Sequence, residues 1–266
     1  MFLQGAVSYA QAKGPRKFQE DYLLHLPFVN RRHECGHLLG VMDGHSSAED
    51  TDGGRVAKYC AETIPMLFDH DAVDVRQELR KITAQLNASI VLADSGSTLS
   101  LAYVNESSCV VTTAMLGDSP IIIVDNNGEV QESEGHDVRT NLSERSAAIM
   151  RGAIYHNGRI HDDLDNPGLQ MSRVLGDQAL GKILDRTPSL RDYRINSDSV
   201  VIVASDGVFD PRHWETNGEA LDALLAATGT HSTAVALLLW REKEKPLRDN
   251  TSIIMWKPRK WWDLFS

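Results

Sequence analysis

Three short apolar runs, each typical of a buried strand, lie beside an aspartate. The pairs are LLGVM (38–42) with Asp43, VVIVA (200–204) with Asp206, and SIIMW (252–256) with Asp249. The first two aspartates follow their runs, whereas Asp249 precedes its run. For the three carboxylates to meet at one edge of the fold, the last strand must run antiparallel to the other two.

Further runs bounded by turn residues predict more strands, and regularly spaced apolar residues predict helices. Strands are expected at 98–104, 109–116 and 120–124, and helices at 54–68, 74–93, 218–227 and 232–243. An Asn-Gly pair within 120–132 separates two strand-like stretches and is typical of an antiparallel hairpin. Layered strands with long helices outside favour an α+β sandwich over an alternating parallel sheet.

The chain has no obvious internal boundary. Its 266 residues are enough for one large core, and no linker rich in Pro, Gly or Ser divides them. The sequence therefore predicts a single domain over 1–258, followed by a short basic and aromatic tail at 259–266. The tail could dock a partner or a membrane surface, although packing of its aromatic rings against the parent domain is the commoner outcome.

Composition restricts the classes of partner and compartment. The formal net charge of -10 at pH 7 repels polyanions, so nucleic acid is not an expected partner. No run approaches the roughly 18 uncharged apolar residues of a membrane span, so no transmembrane segment is expected. Three widely spaced cysteines favour a reducing compartment, and we predict a cytoplasmic protein.

The acidic residues predict a metal site only if they act together. Each aspartate alone has an ordinary explanation, because Asp and Gly both suit the turn that ends a strand. A further acidic pair, Glu20 and Asp21, borders another apolar stretch. Several carboxylates in one place repel one another unless a cation neutralises them, and oxygen ligands suit Mg²⁺ or Mn²⁺. Two such ions can support hydrolysis at phosphorus.

Seven segments, in this order, resemble motifs of the metal-dependent PPM/PP2C protein serine/threonine phosphatases. They are GPRKFQED, VMDGH, SGSTLSLAYV, TTAMLGDS, MSRVLGD, VIVASDGVFD and RDNTSIIMW. The resemblance implies a PP2C-like α-β-β-α sandwich, in which helices flank two mainly antiparallel sheets. It also implies hydrolysis of phosphoserine and phosphothreonine in proteins by a water or hydroxide that bridges two Mn²⁺ or Mg²⁺ ions.

The resemblance implies a role for each matching acidic residue. Asp43 would bridge the two metal ions, and the backbone carbonyl of Gly44 would bind one of them. Asp206 and Asp249 would bind the other ion. Glu20 resembles a carboxylate that acts through metal-bound water.

Two more acidic residues have supporting or open roles. Asp21 lies beside Glu20 and would support it. Asp118 resembles an aspartate that helps to hold a third metal ion in many bacterial members of the family. It is equally well explained as a polar cap on the turn before 120–124.

Two basic side chains complete the implied site. Arg16 is placed like the arginine that binds the substrate phosphate, for which a planar guanidinium is suited. The alternative is an ordinary solvated surface charge. His45 is placed like the general acid that protonates the departing serine or threonine oxygen, with a structural role in the turn as its alternative.

The sequence also departs from the family pattern. Gln19 stands where the family usually has Asn, Pro120 replaces an arginine, and extra residues separate His45 from Gly53. None of these changes removes an implied metal ligand. Two other functions stay open, a pseudophosphatase that binds phosphoproteins without turnover and a phosphatase for small phosphate esters.

Overall fold

Strands dominate the part of the chain that the structure describes. This computed structural model describes residues 4–46, 52–124, 129–208, 233–244 and 246–259. The strands there are β1 (Gly5–Ala12), β2 (Asp21–Val29), β3 (Cys35–Ser46), β4 (Ser95–Ser97), β5 (Leu99–Asn105), β6 (Val110–Leu116), β7 (Ile121–Val124), β8 (Val130–Glu132), β9 (Ile154–His156), β10 (Arg159–His161), β11 (Leu175–Gly176), β12 (Ser189–Arg194), β13 (Val200–Ala204) and β14 (Thr251–Pro258). The α-helices there are α1 (Asp52–Leu67), α2 (Val75–Ser89), α3 (Leu142–Met150) and α4 (Ala234–Glu244).

The strands form two large sheets and one small hairpin. The first sheet has the order β1-β14-β13-β7-β8, and the second has the order β11-β4-β3-β5-β6-β12, with β2 also paired to β3. Strands β9 and β10 pair with each other. Every one of these pairings is antiparallel. The predicted hairpin at 120–132 is therefore confirmed as β7 paired with β8.

The two sheets stack face to face, with helices outside. Along β13, Val201 and Val203 point into the core between the sheets, whereas Ile202 contacts the outer core that contains α4. The second sheet alternates in the same way, because Leu39 faces the inner core and Leu38 packs towards α1 and α2. This two-residue period produces the predicted α+β sandwich of layers α-β-β-α.

A buried carboxylate links the two sheets. Glu106, at the end of β5, accepts hydrogen bonds from the Trp256 indole (2.9 Å) and the Gly5 backbone N–H (2.7 Å). Trp256 is fully buried in the core between the sheets. Because β1 and β14 belong to the first sheet and β5 to the second, this contact fixes how the sheets are stacked at the end far from Asp249.

Strand β3 differs from its predicted bounds in a way that matters for function. The sequence predicted a strand at 38–42 with Asp43 in the turn after it, but β3 continues to Ser46. The extension exists because Gly44, His45 and Ser46 pair with the short strand β4. This prediction was wrong at its boundary, since the pairing partner lies about fifty residues away in the sequence.

The helix predictions agree with the structure where it describes them. Helix α2 falls within the predicted 74–93, and the Asp74 side chain caps it by accepting from the Gln77 backbone N–H at 3.1 Å. The predicted helix at 218–227 lies outside the described residues, as do the start of 232–243 and residues 260–266 of the tail. In the described residues, no helix is long and apolar enough to span a membrane. The single domain, the docking role of the tail and the cytoplasmic location stay predictions.

Candidate active site

Residues from both ends of the chain meet in one cavity of about 380 Å³. The sequence-predicted residues that line it are Arg16, Glu20, Asp43, Gly44, His45, Asp118, Asp206 and Asp249. Asp21 does not line the cavity. It is almost completely buried, and its backbone pairs with that of Asp43 across β2 and β3.

Strand pairing brings the three aspartates together. Asp206 begins a single 3-10 turn after β13, and Asp249 lies two residues before β14. Because β13 and β14 are antiparallel neighbours, the end of one strand lies beside the start of the other. The Ser205 backbone N–H closes this end by donating to the Ser252 carbonyl at 3.0 Å.

Asp43 lies on β3 in the second sheet, at the point where the strand that pairs with β3 changes. Strand β3 pairs with β5 before Asp43 and with β4 after it. Thr98 lies between β4 and β5, and its hydroxyl accepts from the Asp43 backbone N–H at 3.0 Å. The Thr98 backbone N–H donates to the Asp43 carbonyl at 2.9 Å. These contacts fix the backbone from which the Asp43 carboxylate projects.

Asn250 anchors the loop that carries Arg16 and Glu20. Its side-chain amide donates to the carbonyls of Lys13 (2.9 Å) and Phe18 (3.0 Å), and its Oδ1 accepts from the Glu20 backbone N–H (2.8 Å). The structure shows that its side chain mainly organises the β1–β2 loop, while its backbone N–H donates to Asp249 Oδ1 at 2.8 Å.

Gly44 allows three backbone segments to approach closely. A Cβ atom there would lie 2.3 Å from the Gly53 carbonyl oxygen and 2.8 Å from the Glu20 carbonyl oxygen. The Gly44 N–H donates to the same Glu20 carbonyl at 3.2 Å. Any larger residue would therefore separate β3 from the loop before β2 and from the start of α1.

The site concentrates negative charge in a poorly solvated place. Burial raises the pKa of Asp43 well above its usual value, and the neighbouring Asp21 and Asp206 raise it further. Burial likewise raises the pKa of Asp206 well above normal, with added repulsion from Asp118 and Asp249. Burial raises the pKa of Asp21 to about 6 and that of Asp118 to about 6. Ionised together, these carboxylates would repel strongly.

The donor set suits a hard divalent cation. It consists of carboxylate and carbonyl oxygens, which Mg²⁺ and Mn²⁺ prefer. The buried Asp21 Oδ1 has no hydrogen-bond partner in the described residues, so it is an acceptor without a donor. In the described part of the chain, no group of three His, Cys, Asp or Glu side chains is already arranged around a metal position. Asp249 instead forms an ion pair with Arg16.

The predicted Arg16 and Asp118 both face the cavity. Arg16 is about half exposed and contacts Asp249, so it is not a freely solvated surface charge. Asp118 lies in the turn between β6 and β7, and with Asp206 it also lines a neighbouring cavity. Asp137 and Arg139 line that second cavity too, and their side chains form an ion pair.

Sequence reasoning missed several polar residues that line the cavity, among them Arg159, Asp162 and Asp177. Of these, Asp177 contacts a predicted site residue. Asp177 is buried, and its Oδ2 lies 2.6 Å from His45 Nε2. The segment MSRVLGD ends at Asp177 and belonged to the resemblance, but no chemistry was assigned to that aspartate. Gln19, the departure beside Glu20, has a buried amide without a hydrogen-bond partner in the described residues.

Known proteins share this sequence pattern and fold. The family model "Protein phosphatase 2C" matches residues 6–214. The chain is 25% identical to "Probable protein phosphatase 2C 11" of Arabidopsis thaliana over 217 residues, which is 76% of this chain and 54% of that protein. It is 27% identical to "Protein phosphatase fem-2" of Caenorhabditis elegans over 219 residues, 77% of this chain and 47% of that protein. The chain therefore spans about half the length of these curated relatives.

Solved structures support the fold. A phosphatase from Toxoplasma gondii superposes with a TM-score of 0.75 at 16% identity, covering 97% of this chain and 94% of that one. The catalytic domain of the serine/threonine protein phosphatase PstP, solved with two manganese ions, gives a TM-score of 0.65 at 16% identity, covering 96% and 99%. Both likenesses confirm the α-β-β-α sandwich.

Proposed function

Because this chain belongs to the protein phosphatase 2C family, we propose that it is a metal-dependent phosphatase that removes phosphate from phosphoserine and phosphothreonine in proteins. The observation that carries the proposal is the meeting of Asp43, Asp206 and Asp249 in one cavity with Arg16. These four residues come from distant parts of the chain and from both sheets. A phosphorylated protein is accordingly the proposed partner.

The acidic residues would hold two divalent ions, Mn²⁺ or Mg²⁺. Asp43 and the Gly44 carbonyl would bind one ion, and Asp43, Asp206 and Asp249 the other, with Glu20 and Asp21 in support. Asp118 is placed to contribute to a third. When bound, such ions supply Lewis acidity and an activated water. The two manganese ions of PstP support this assignment.

The chain's own basic residues would bind and protonate the substrate. Arg16 can offer two parallel N–H groups to phosphate oxygens, after exchanging its present contact with Asp249. In the reaction, oxygen from water bonds to phosphorus while the bond from phosphorus to the serine or threonine oxygen breaks. We assign to His45 the role of general acid, which donates a proton to the departing oxygen.

The direct test is phosphate release from a phosphothreonine peptide, measured with Mn²⁺ and with EDTA. We expect turnover only with Mn²⁺, and comparable turnover of p-nitrophenyl phosphate. Hydrolysis of the aryl ester with no activity on peptides or phosphoproteins would favour the small-ester phosphatase. Saturable peptide binding without phosphate release from either substrate would favour the pseudophosphatase and overturn the proposal.

Arg16→Ala should weaken substrate binding more than it slows turnover. Loss of a guanidinium that contacts phosphate predicts a KM about 10-fold higher, with kcat changed by less than about 3-fold. Steady-state kinetics on the phosphothreonine peptide measure both constants. The matched control is Lys17→Ala, which removes a neighbouring cation that lies over the Phe18 ring and does not line the cavity. An unchanged KM for Arg16→Ala would contradict the phosphate-binding role.

A further inference from the structure

His45 and Asp177 meet across an intervening strand that lacks a side chain at the crossing point. Strand β4 lies between β3 and β11, and Gly96 on β4 is in register with His45 on one side and Gly176 on the other. Next-nearest strands lie about 10 Å apart, which is too far for most direct contacts. The His45 and Asp177 side chains bridge this gap over Gly96 at 2.6 Å.

The crossing point has no room for any residue other than glycine. A Cβ on Gly96 would lie 2.1 Å from Asp177 Oδ2 and 2.9 Å from His45 Nε2. It would also lie 2.4 Å from the Leu175 carbonyl oxygen. The sheet is therefore built so that this one pair of side chains can approach.

The backbone of Asp177 is held firmly in an uncommon conformation. Its φ is +46°, in the left-handed region that Asp and Asn tolerate better than most residues. Its N–H donates to the Ser95 carbonyl at 2.9 Å, and its carbonyl accepts from Arg186 Nη2 at 3.2 Å. The Asp177 side chain is only 5% exposed, and that of His45 is 22% exposed. A carboxylate held in this way has few other orientations.

We propose that Asp177 is a positioning residue for the proposed phosphatase reaction, and that it acts through His45 without touching the substrate. An ionised carboxylate only accepts hydrogen bonds, so His45 donates from Nε2, and Asp177 selects that ring orientation. Nδ1 is then the ring nitrogen left for the substrate, and as general acid the ring carries hydrogen on both nitrogens, keeps the one on Nε2 and gives the one on Nδ1 to the departing oxygen. Ordering the ring before the substrate arrives removes an entropic cost from the protonation step.

The inference depends on the proposed function. It predicts that removing Asp177 lowers activity by an amount that varies with the leaving group. A threonine oxygen leaves as a strongly basic alkoxide and needs a proton, whereas p-nitrophenolate is a stable anion near neutral pH. A residue that only supports the fold would affect both substrates equally. One that positions the proton donor affects the peptide alone.

The experiment compares wild type, Asp177→Asn, His45→Gln and the double variant on both substrates. Asn tolerates the left-handed φ, so Asp177→Asn should fold. We expect kcat on the phosphothreonine peptide to fall about 10- to 100-fold with KM within about 3-fold, and activity on p-nitrophenyl phosphate to stay within about 3-fold. The double variant should be no slower than His45→Gln. Equal losses on both substrates, or losses that multiply in the double variant, would overturn the proposal.

A matched control separates local from general charge effects. Asp71→Asn removes the same charge at the far end of α1, about 24 Å from the helix start that adjoins β3. Asp71 pairs with Arg31 there. This variant should keep the wild-type ratio of peptide to aryl phosphate activity.

A readout without turnover distinguishes failure of this inference from failure of the proposed function. The ¹⁵N resonances of the His45 ring report which nitrogen carries hydrogen, and His45→Gln assigns them among the ten histidines. We expect hydrogen on Nε2 in the wild type and a shifted tautomer ratio in Asp177→Asn. If the wild type is inactive but Asp177→Asn shows the shifted tautomer ratio, only the proposed phosphatase function is contradicted. An unchanged His45 ring spectrum in Asp177→Asn would refute the positioning role whether or not the protein is active.

Discussion

Asp206→Asn should lower kcat on a phosphothreonine peptide more than about 100-fold and weaken Mn²⁺ binding at least as much. The substitution keeps the shape of the side chain but replaces an anionic oxygen ligand with a neutral amide. The first 3-10 turn after β13 carries this side chain, so the change leaves the sheet intact. Kinetics over a range of Mn²⁺ concentrations and isothermal titration calorimetry measure the two effects.

The same substitution should stabilise the metal-free protein. Asp206 is one of the charges that raise the pKa of Asp43, so neutralising it relieves repulsion at pH 7. Activity and metal-free stability should therefore change in opposite directions, which a simple folding defect cannot produce. Asp198→Asn is the matched control, because Asp198 is an exposed residue before β13, at the opposite end of that strand. If Asp206→Asn binds Mn²⁺ with wild-type affinity, Asp206 is not a metal ligand.

The position of each of the three aspartates beside a strand could be predicted because it depends on short-range signals, whereas their meeting in one site was implied by the resemblance. Apolar runs mark β13 and β14, and the need to join their acidic ends already required an antiparallel arrangement. The long helix α2 was predictable for the same reason, since a single periodic face and the Asp74 cap specify it locally. The signals for the strand-end aspartates and for α2 both lie within continuous stretches of sequence.

Two features of the site that sequence reasoning missed depend on the order of strands in the second sheet. The continuation of β3 through His45 requires β4 as a neighbour, and the contact with Asp177 requires β11 on the other side of β4. Pairing between strands that are far apart in sequence leaves no periodic signal. Glycine at position 96 was visible in SGSTLSLAYV, but its meaning depends on the two side chains that cross over it.

The metal-free protein should lose stability relative to the Mn²⁺ form as pH rises from 5 to 7. Burial raises the pKa of Asp21 from 3.8 to about 6, so the folded state holds a proton that the unfolded state has already lost. Ionising such a group in the folded state costs about 3 kcal/mol for a shift of about two pKa units. Stability from this source is present below pH 4 and is lost as pH rises through 6. Asp43, Asp118 and Asp206 act in the same direction.

Urea unfolding in EDTA and in saturating Mn²⁺ at pH 5, 6 and 7 measures this effect as a difference. The buried His136 acts in the opposite direction, because burial lowers its pKa to about 4, but it contributes equally with and without the ion and cancels. We expect Mn²⁺ to add at least about 3 kcal/mol to the free energy of unfolding at pH 7, as for an ion present above 100 times its Kd, and much less at pH 5. Protons compete with the cation for the same carboxylates, so the gain must grow with pH. A gain from Mn²⁺ that is the same at pH 5 and pH 7 would mean that the ion binds elsewhere than at the buried aspartates.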